Sequence, residues 1–198
     1  MHVKRLIMAT AVLLAATLVW SGVTASAFAE TRYLKNNIHY QGHSGRGGVM
    51  AYRASYANYV DPPGGGHEIL PVNSAVDISI TRQGFRGRAL LIVDKKSGRQ
   101  VYFEYNERNM GIPMEQYIDL ISSTQKTPLD KLSAKDRKGI QEGRAFVGMT
   151  KAGVRMALGY PAKHRTPSLD SNEWVYWIDR WRTMVVHFND KGIVDSIR

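Results

Sequence analysis

The chain has 198 residues, 27 Lys and Arg against 17 Asp and Glu, and a formal net charge of +10 at pH 7. It contains no cysteine, which excludes disulfides, thiolate metal sites, a cysteine nucleophile and a lipid-modified cysteine. Without covalent staples, stability must come mainly from burying a core, and the chain is long enough to do so.

The first elements concern targeting. His2-Val3-Lys4-Arg5 is a short basic stretch, and Leu6 to Trp20 is an apolar run. Ala27-Phe28-Ala29 then supplies a small-residue cleavage site, with Ala25-Ser26-Ala27 as a second candidate. The apolar run falls short of the roughly 20 residues of a membrane-spanning helix. The expectation is a cleavable export signal over residues 1–29. The mature chain would then have no transmembrane span and would reside in the periplasm or outside the cell. Its charge is uneven: residues 30–130 carry a net +2 and residues 131–198 a net +6. A basic exported protein suits anionic surfaces such as lipid head groups or wall polymers. Nucleic acid is not an expected partner in that compartment.

Residues 30–66 read as irregular, because Gly42, Gly45, Gly47 and Gly48 and then Pro62-Pro63-Gly64-Gly65-Gly66 interrupt any long element. Tyr52, Tyr56 and Tyr59 fit a helical face, a strand or a loop equally. Residues 67–124 read as a small β-rich region with one helix. Val76, Ile78 and Ile80 alternate with polar residues, Ala89 to Val93 is a continuous apolar run, and Val101, Phe103 and Tyr105 alternate again. Asp94-Lys95-Lys96-Ser97-Gly98 should turn the last two strands into a hairpin. Met114, Tyr117, Ile118 and Ile121 share one helical face behind Pro113. Ile69 to Val76 resembles the opening of bacterial SH3-like barrels.

Ser122 to Pro128 is a polar link and marks a boundary before a unit over residues 130–198. Ser133, with Asp136 three residues on, starts a helix that Gly143 ends. Thr150 is the N-cap of the next helix, with Met149 and Val154 at staple spacing. Gly159 and Pro161 stop it, and Gly153 inside it is a cost of roughly 0.5–1 kcal/mol relative to Ala. Strands follow at Glu173–Ile178, Thr183–Phe188 and Ile193–Ile197, the last two joined by Asn189-Asp190-Lys191-Gly192. The expected class is α+β. A C-terminal α-α-β-β-β domain with a three-stranded antiparallel meander follows a small antiparallel β region of SH3-like type with one helix.

The residues Gly143, Val147-Gly148-Met149-Thr150, Val154, Leu158-Gly159 and Pro161, then Trp174, Tyr176, Trp177, Val186-His187-Phe188, Gly192, Val194 and Ile197, carry a resemblance. In that order the C-terminal third resembles the BamE-type (SmpA/OmlA) outer-membrane assembly factors, and the α-α-β-β-β unit is similar to the halves of secreted β-lactamase inhibitor proteins. Those assembly factors carry a lipid-anchoring cysteine that this chain lacks. The resemblance implies an envelope scaffold or binding domain with no chemistry of its own.

No catalytic constellation stands out. His39 and His43 are spaced i, i+4, but Gly42 and Gly45 disfavour the helix a metal pair would need. Gly42 to Gly48 lacks the flanking strand and helix of a phosphate cradle, and no G-x-S-x-G elbow occurs. His187, on a strand, reads as surface-facing. No metal, cofactor or catalytic residue is expected. The partner-binding candidates are Trp174, Tyr176, Trp177, Arg180, Trp181 and Arg182, because Trp and Arg are enriched at interface hot spots. In a strand Trp174 and Tyr176 share one face and Val175 and Trp177 the other. One set packs on the helices; the other meets residues 69–121 or an external partner. The expected function is a non-catalytic secreted or periplasmic binding or scaffolding protein of the bacterial cell envelope, its partner an envelope protein or an anionic surface. The alternatives are an inhibitor or regulator of a secreted enzyme, or a module for anionic lipid or cell-wall polymer.

Overall fold

The structure is a computed structural model and describes residues 31–45, 48–57, 66–84, 87–179 and 181–198. The export signal expected over residues 1–29, Gly47, Tyr59, Pro62 to Gly65 and Arg180 lie outside the described residues.

One large sheet dominates. Its strands are β1 (Arg32–Leu34), β2 (Ile38–Gly45), β3 (Gly48–Ser55), β4 (His67–Leu70), β5 (Ala75–Gly84), β6 (Gly87–Asp94), β7 (Gln100–Glu104) and the short β8 (Ser122–Ser123). They lie in the order β4-β2-β3-β7-β6-β5-β1-β8, with β3 and β7 parallel and the other neighbours antiparallel. Only Lys35 to Asn37 separate β1 from β2, which stand near opposite margins of that order. Four residue steps of extended chain span at most about 14 Å. Five strand spacings in a flat sheet come to about 24 Å. The sheet must therefore curl, bringing its margins towards each other.

The curl encloses an apolar core. After α1 (Glu107–Met110), capped by the Asn106 side chain and by Gly111, comes α2 (Met114–Ile121). Helix α2 buries Met114, Tyr117 and Ile121, the face that its spacing predicts. These side chains join Leu34, Ile38, Val76, Leu90, Ile92, Val101 and Phe103 from the sheet. The β6–β7 hairpin forms as expected, its turn held by Asp94, whose carboxylate accepts from Ser97 N at 3.0 Å and Ser97 Oγ at 2.6 Å.

A second layer follows in sequence. Helices α3 (Ala134–Glu142) and α4 (Lys151–Leu158) precede β9 (Glu173–Trp177), β10 (Thr183–Phe188) and β11 (Val194–Ile197), a separate three-stranded sheet. Its core sets Met149, Val154, Ala157 and Leu158 against Trp174, Tyr176, Val186, Phe188 and Val194. Thr150 caps α4 by accepting from Gly153 N at 3.0 Å. Gly159 ends it at φ +81° and ψ −167°. Gly153 has a positive reason to be there. A Cβ at that position would overlap the carboxylate of Asp136. Asp136 is 1% exposed and accepts from Ser133 Oγ at 2.9 Å, Thr150 N at 2.8 Å and Thr150 Oγ1 at 3.1 Å. The missing side chain is the space in which one helix start is tied to the next.

A polar seam joins the two layers. The last carbonyls of a helix have no partner within it. Here the link between β1 and β2, and β2 itself, supply donors to them. Asn37 Nδ2 donates to Ile140 O at 2.7 Å and Ala157 O at 3.2 Å, and Asn37 N to Met156 O at 2.8 Å. His39 Nε2 lies 2.8 Å from Ala157 O. Gly143, the left-handed cap of α3 at φ +64°, sits so close to β2 and β4 that a Cβ there would overlap Ile69 and lie 3.0 Å from His39 Cε1.

The expected fold class does not hold. The described residues are mostly sheet, an eight-stranded curled mixed sheet plus a three-stranded one, with four helices among them. It is not an α-α-β-β-β domain preceded by a small antiparallel SH3-like region. The physical reason lies in residues 30–66. That stretch, expected to be irregular, contains β1 to β3, and β3 pairs in parallel with the distant β7. Glycines in β2 and β3 weaken side-chain pattern without preventing backbone pairing.

Candidate partner-binding face

The sequence-selected aromatic cluster is divided by the pleat of β9. Trp174 and Tyr176 are each 1% exposed and belong to the second core. They are structural residues and not part of an accessible surface. The Tyr176 hydroxyl donates to Gly159 O at 3.1 Å, and burial raises its pKa. Val175 and Trp177 point the other way and are half-buried.

The outer face is assembled by register. Val175 pairs with Val185, Trp177 with Thr183, and Glu173 with His187, which in turn faces Ser196 on β11. Two valines directly opposite each other form a small apolar centre. Trp177 borders it, with the Arg165 guanidinium 6.0 Å from its ring centroid. Polar contacts form the rim: the ion pairs of Arg198 with Glu173 at 2.6 Å and Arg182 with Asp179 at 2.7 Å, and the hydrogen bond between His187 and Asp195 at 2.6 Å. The hydrogen bond from His187 is the main influence holding the Asp195 carboxyl below its ordinary pKa.

The connection between β9 and β10 carries an exposed aromatic residue at one end of this sheet. Asp179 Oδ1 accepts from Trp181 N at 2.7 Å and Arg182 N at 2.9 Å, and Ile178 N donates to Arg182 O at 2.8 Å. The Trp181 amide, followed by that of Arg182, pulls the Asp179 pKa down. The Trp181 and Arg182 amides are thereby engaged, while Trp181 is 82% exposed. Of the six candidates, Trp177, Trp181 and Arg182 lie on or beside this face, Trp174 and Tyr176 lie beneath it, and Arg180 lies outside the described residues. Strand alternation places Val175 on the face of Trp177, as expected, but sequence reasoning missed Glu173, Arg165 and Arg198 as members. Alternation could have placed Glu173, whereas Arg165 arrives from a loop without pattern.

The other residues weighed for chemistry are committed elsewhere. His39 lies on strand β2, not a helix, and bonds to His67 and Ala157. His43, further along β2, is exposed. Among the described residues, no three His, Asp or Glu side chains converge in a way that could hold a metal ion. A cleft of about 160 Å³ is lined by Tyr56, Gly84, Arg88, Glu104, Tyr105 and Asn106. Its arginine is taken up by Glu115 at 3.1 Å and Glu107 at 3.8 Å.

No family model, curated protein or solved structure matches the chain. Among the described residues, no helix is long and apolar enough to cross a membrane.

Proposed function

We propose that this chain is a non-catalytic binding or scaffolding protein of the bacterial cell envelope that docks a partner protein on the outer face of β9–β11. The observation that carries the reading is Trp181, 82% exposed, whose amide donates to Asp179 Oδ1 at 2.7 Å. Trp and Arg dominate interface hot spots. An apolar centre with a charged rim is the usual anatomy of a protein interface. Arg198, Arg182 and His187 each have a carboxylate partner. That balance favours a protein surface over a polyanion as the occupant. Export to the periplasm or beyond, read from residues 1–29, places the partner in the envelope.

The test is affinity capture from envelope extract with the wild-type chain and with Trp181→Ala. The expected result is one protein recovered in near-stoichiometric amount, with affinity reduced about 30-fold or more in the variant, the loss of a hot spot of about 2 kcal/mol. Equal recovery by both chains would overturn the assignment to this face.

A further inference from the structure

We propose that His67, His39 and Ala157 form an acid-sensitive latch that holds the α3–α4 layer on the eight-stranded sheet and releases it when His39 takes up a second proton. The inference is independent of the partner proposed for β9–β11.

The hydrogen-bond chain has a single direction. Ala157 O can only accept, so His39 Nε2, at 2.8 Å, carries a hydrogen. A neutral His39 then has its lone pair on Nδ1. That atom lies 3.0 Å from His67 Nε2, which must therefore be the donor. Donation runs from β4 through β2 into the last turn of α4. His39 and His67 are 3% and 8% exposed, so the seam is nearly dry and a charge on His39 is costly there. A second proton on His39 would enter at Nδ1. Two N–H groups would then face each other, with a charge in the seam.

Among the described residues, the surroundings of His39 offer that charge little compensation. Burial is the largest influence on His39 and lowers its pKa to about 4; the Ala157 carbonyl opposes this, and His67 adds to it. Charged groups on the neighbouring elements are engaged elsewhere. On β4, Glu68 binds Arg99 and Tyr40. On α3, Glu142 lies 3.9 Å from Lys138, and on α4 the Arg155 guanidinium lies over the Tyr160 ring. Arg144, after α3, and His43, on β2, are exposed. Asn37 bridges the same seam without titrating, bonding to Ile140 O and Ala157 O.

The sign of the pH dependence follows. A released histidine titrates near 6.5, and the closed one near 4. Between those values the open form binds more protons. The latch is at full strength above about pH 6.5 and weakens as pH falls towards 4, by up to about 300-fold in the open-to-closed ratio.

Amide hydrogen exchange on the full chain tests this, compared at pH 7 and pH 4.5 after correction for intrinsic rates. The amide of Asn37, which donates across the seam to Met156 O, and that of Val72, which donates to the Asn37 side chain that bridges it, should lose protection on the order of 100-fold. Those of Leu90 and Ile92 in the sheet should change far less. His39→Gln keeps a donor for Ala157 but cannot titrate, and should abolish the pH effect. A wild-type change below threefold, or an equal change in the variant, would overturn the proposal. Should the variant not fold, the wild-type imidazole titration followed by NMR decides. A His39 midpoint near 6.5 with the seam amides still protected counts against the latch; a midpoint below 5 that coincides with seam opening supports it.

Discussion

The curled sheet and the α3–α4 layer bury apolar surface in opposite ways. In the sheet, β1 pairs with β5 and β8, and β3 lies parallel to β7, so neighbours in space are distant in sequence. In the second layer α3 packs on α4, and β9, β10 and β11 follow as a meander, each beside its sequence neighbour. Local contacts close short loops, and non-local ones must first overcome a larger entropy loss. Stability in the second layer should therefore rest on a few large side chains and one buried carboxylate. In the sheet it should rest on closure around α2.

The most severe way to break this contrast is to empty one core at a time. Trp174→Ala should cost about 3–5 kcal/mol and act first on the second layer. Trp174, Trp177 and Trp181 all lie there, so the urea transition seen by tryptophan fluorescence should move to lower concentration ahead of the far-UV transition of the sheet. Tyr117→Ala, of similar size, should move the far-UV transition first. Coincident shifts in both variants would mean that the two layers unfold as one unit.

Gly153→Ala sharpens the picture of the helix pair. At an open helical site the change stabilises by roughly 0.5–1 kcal/mol. Here the new methyl group meets the Asp136 carboxylate, so the melting temperature should fall, by an amount equivalent to about 1–3 kcal/mol. Asn37→Ala strikes the seam. It removes the donor to Ile140 O and the acceptor for Val72 N, and should cost about 1–3 kcal/mol while drawing the fluorescence and far-UV transitions apart. Trp181→Ala should have the smallest effect, within about 0.5 kcal/mol in urea unfolding, despite removing the same type of side chain as Trp174→Ala.

The second layer was easy to see in the sequence because its signals are local. Ser133 and Thr150 cap helices where their spacing predicts, and alternation marks β9 to β11. The α2 face and the strands β5 to β7 were legible for the same reason. Strands β2 and β3 were not. Gly42, Gly45 and Gly48 erase alternation there, and the pairing that orders them comes from chain far away. The candidate site was half legible. Alternation separates Trp174 from Trp177, but which set is buried depends on where α4 packs. The latch had no signal, since His39 and His67 are brought together only by the β2–β4 register.

Gly143 carries a consequence for mutational tolerance. It ends α3 at φ +64° and leaves the room that Ile69 and the His39 ring occupy. Any other residue there meets two separate penalties, backbone strain and overlap with the sheet. Shortening Ile69 could relieve the second but not the first. A loss at this position should therefore resist rescue by a single compensating substitution, which makes Gly143 a point where a defect in one layer is transmitted to the other.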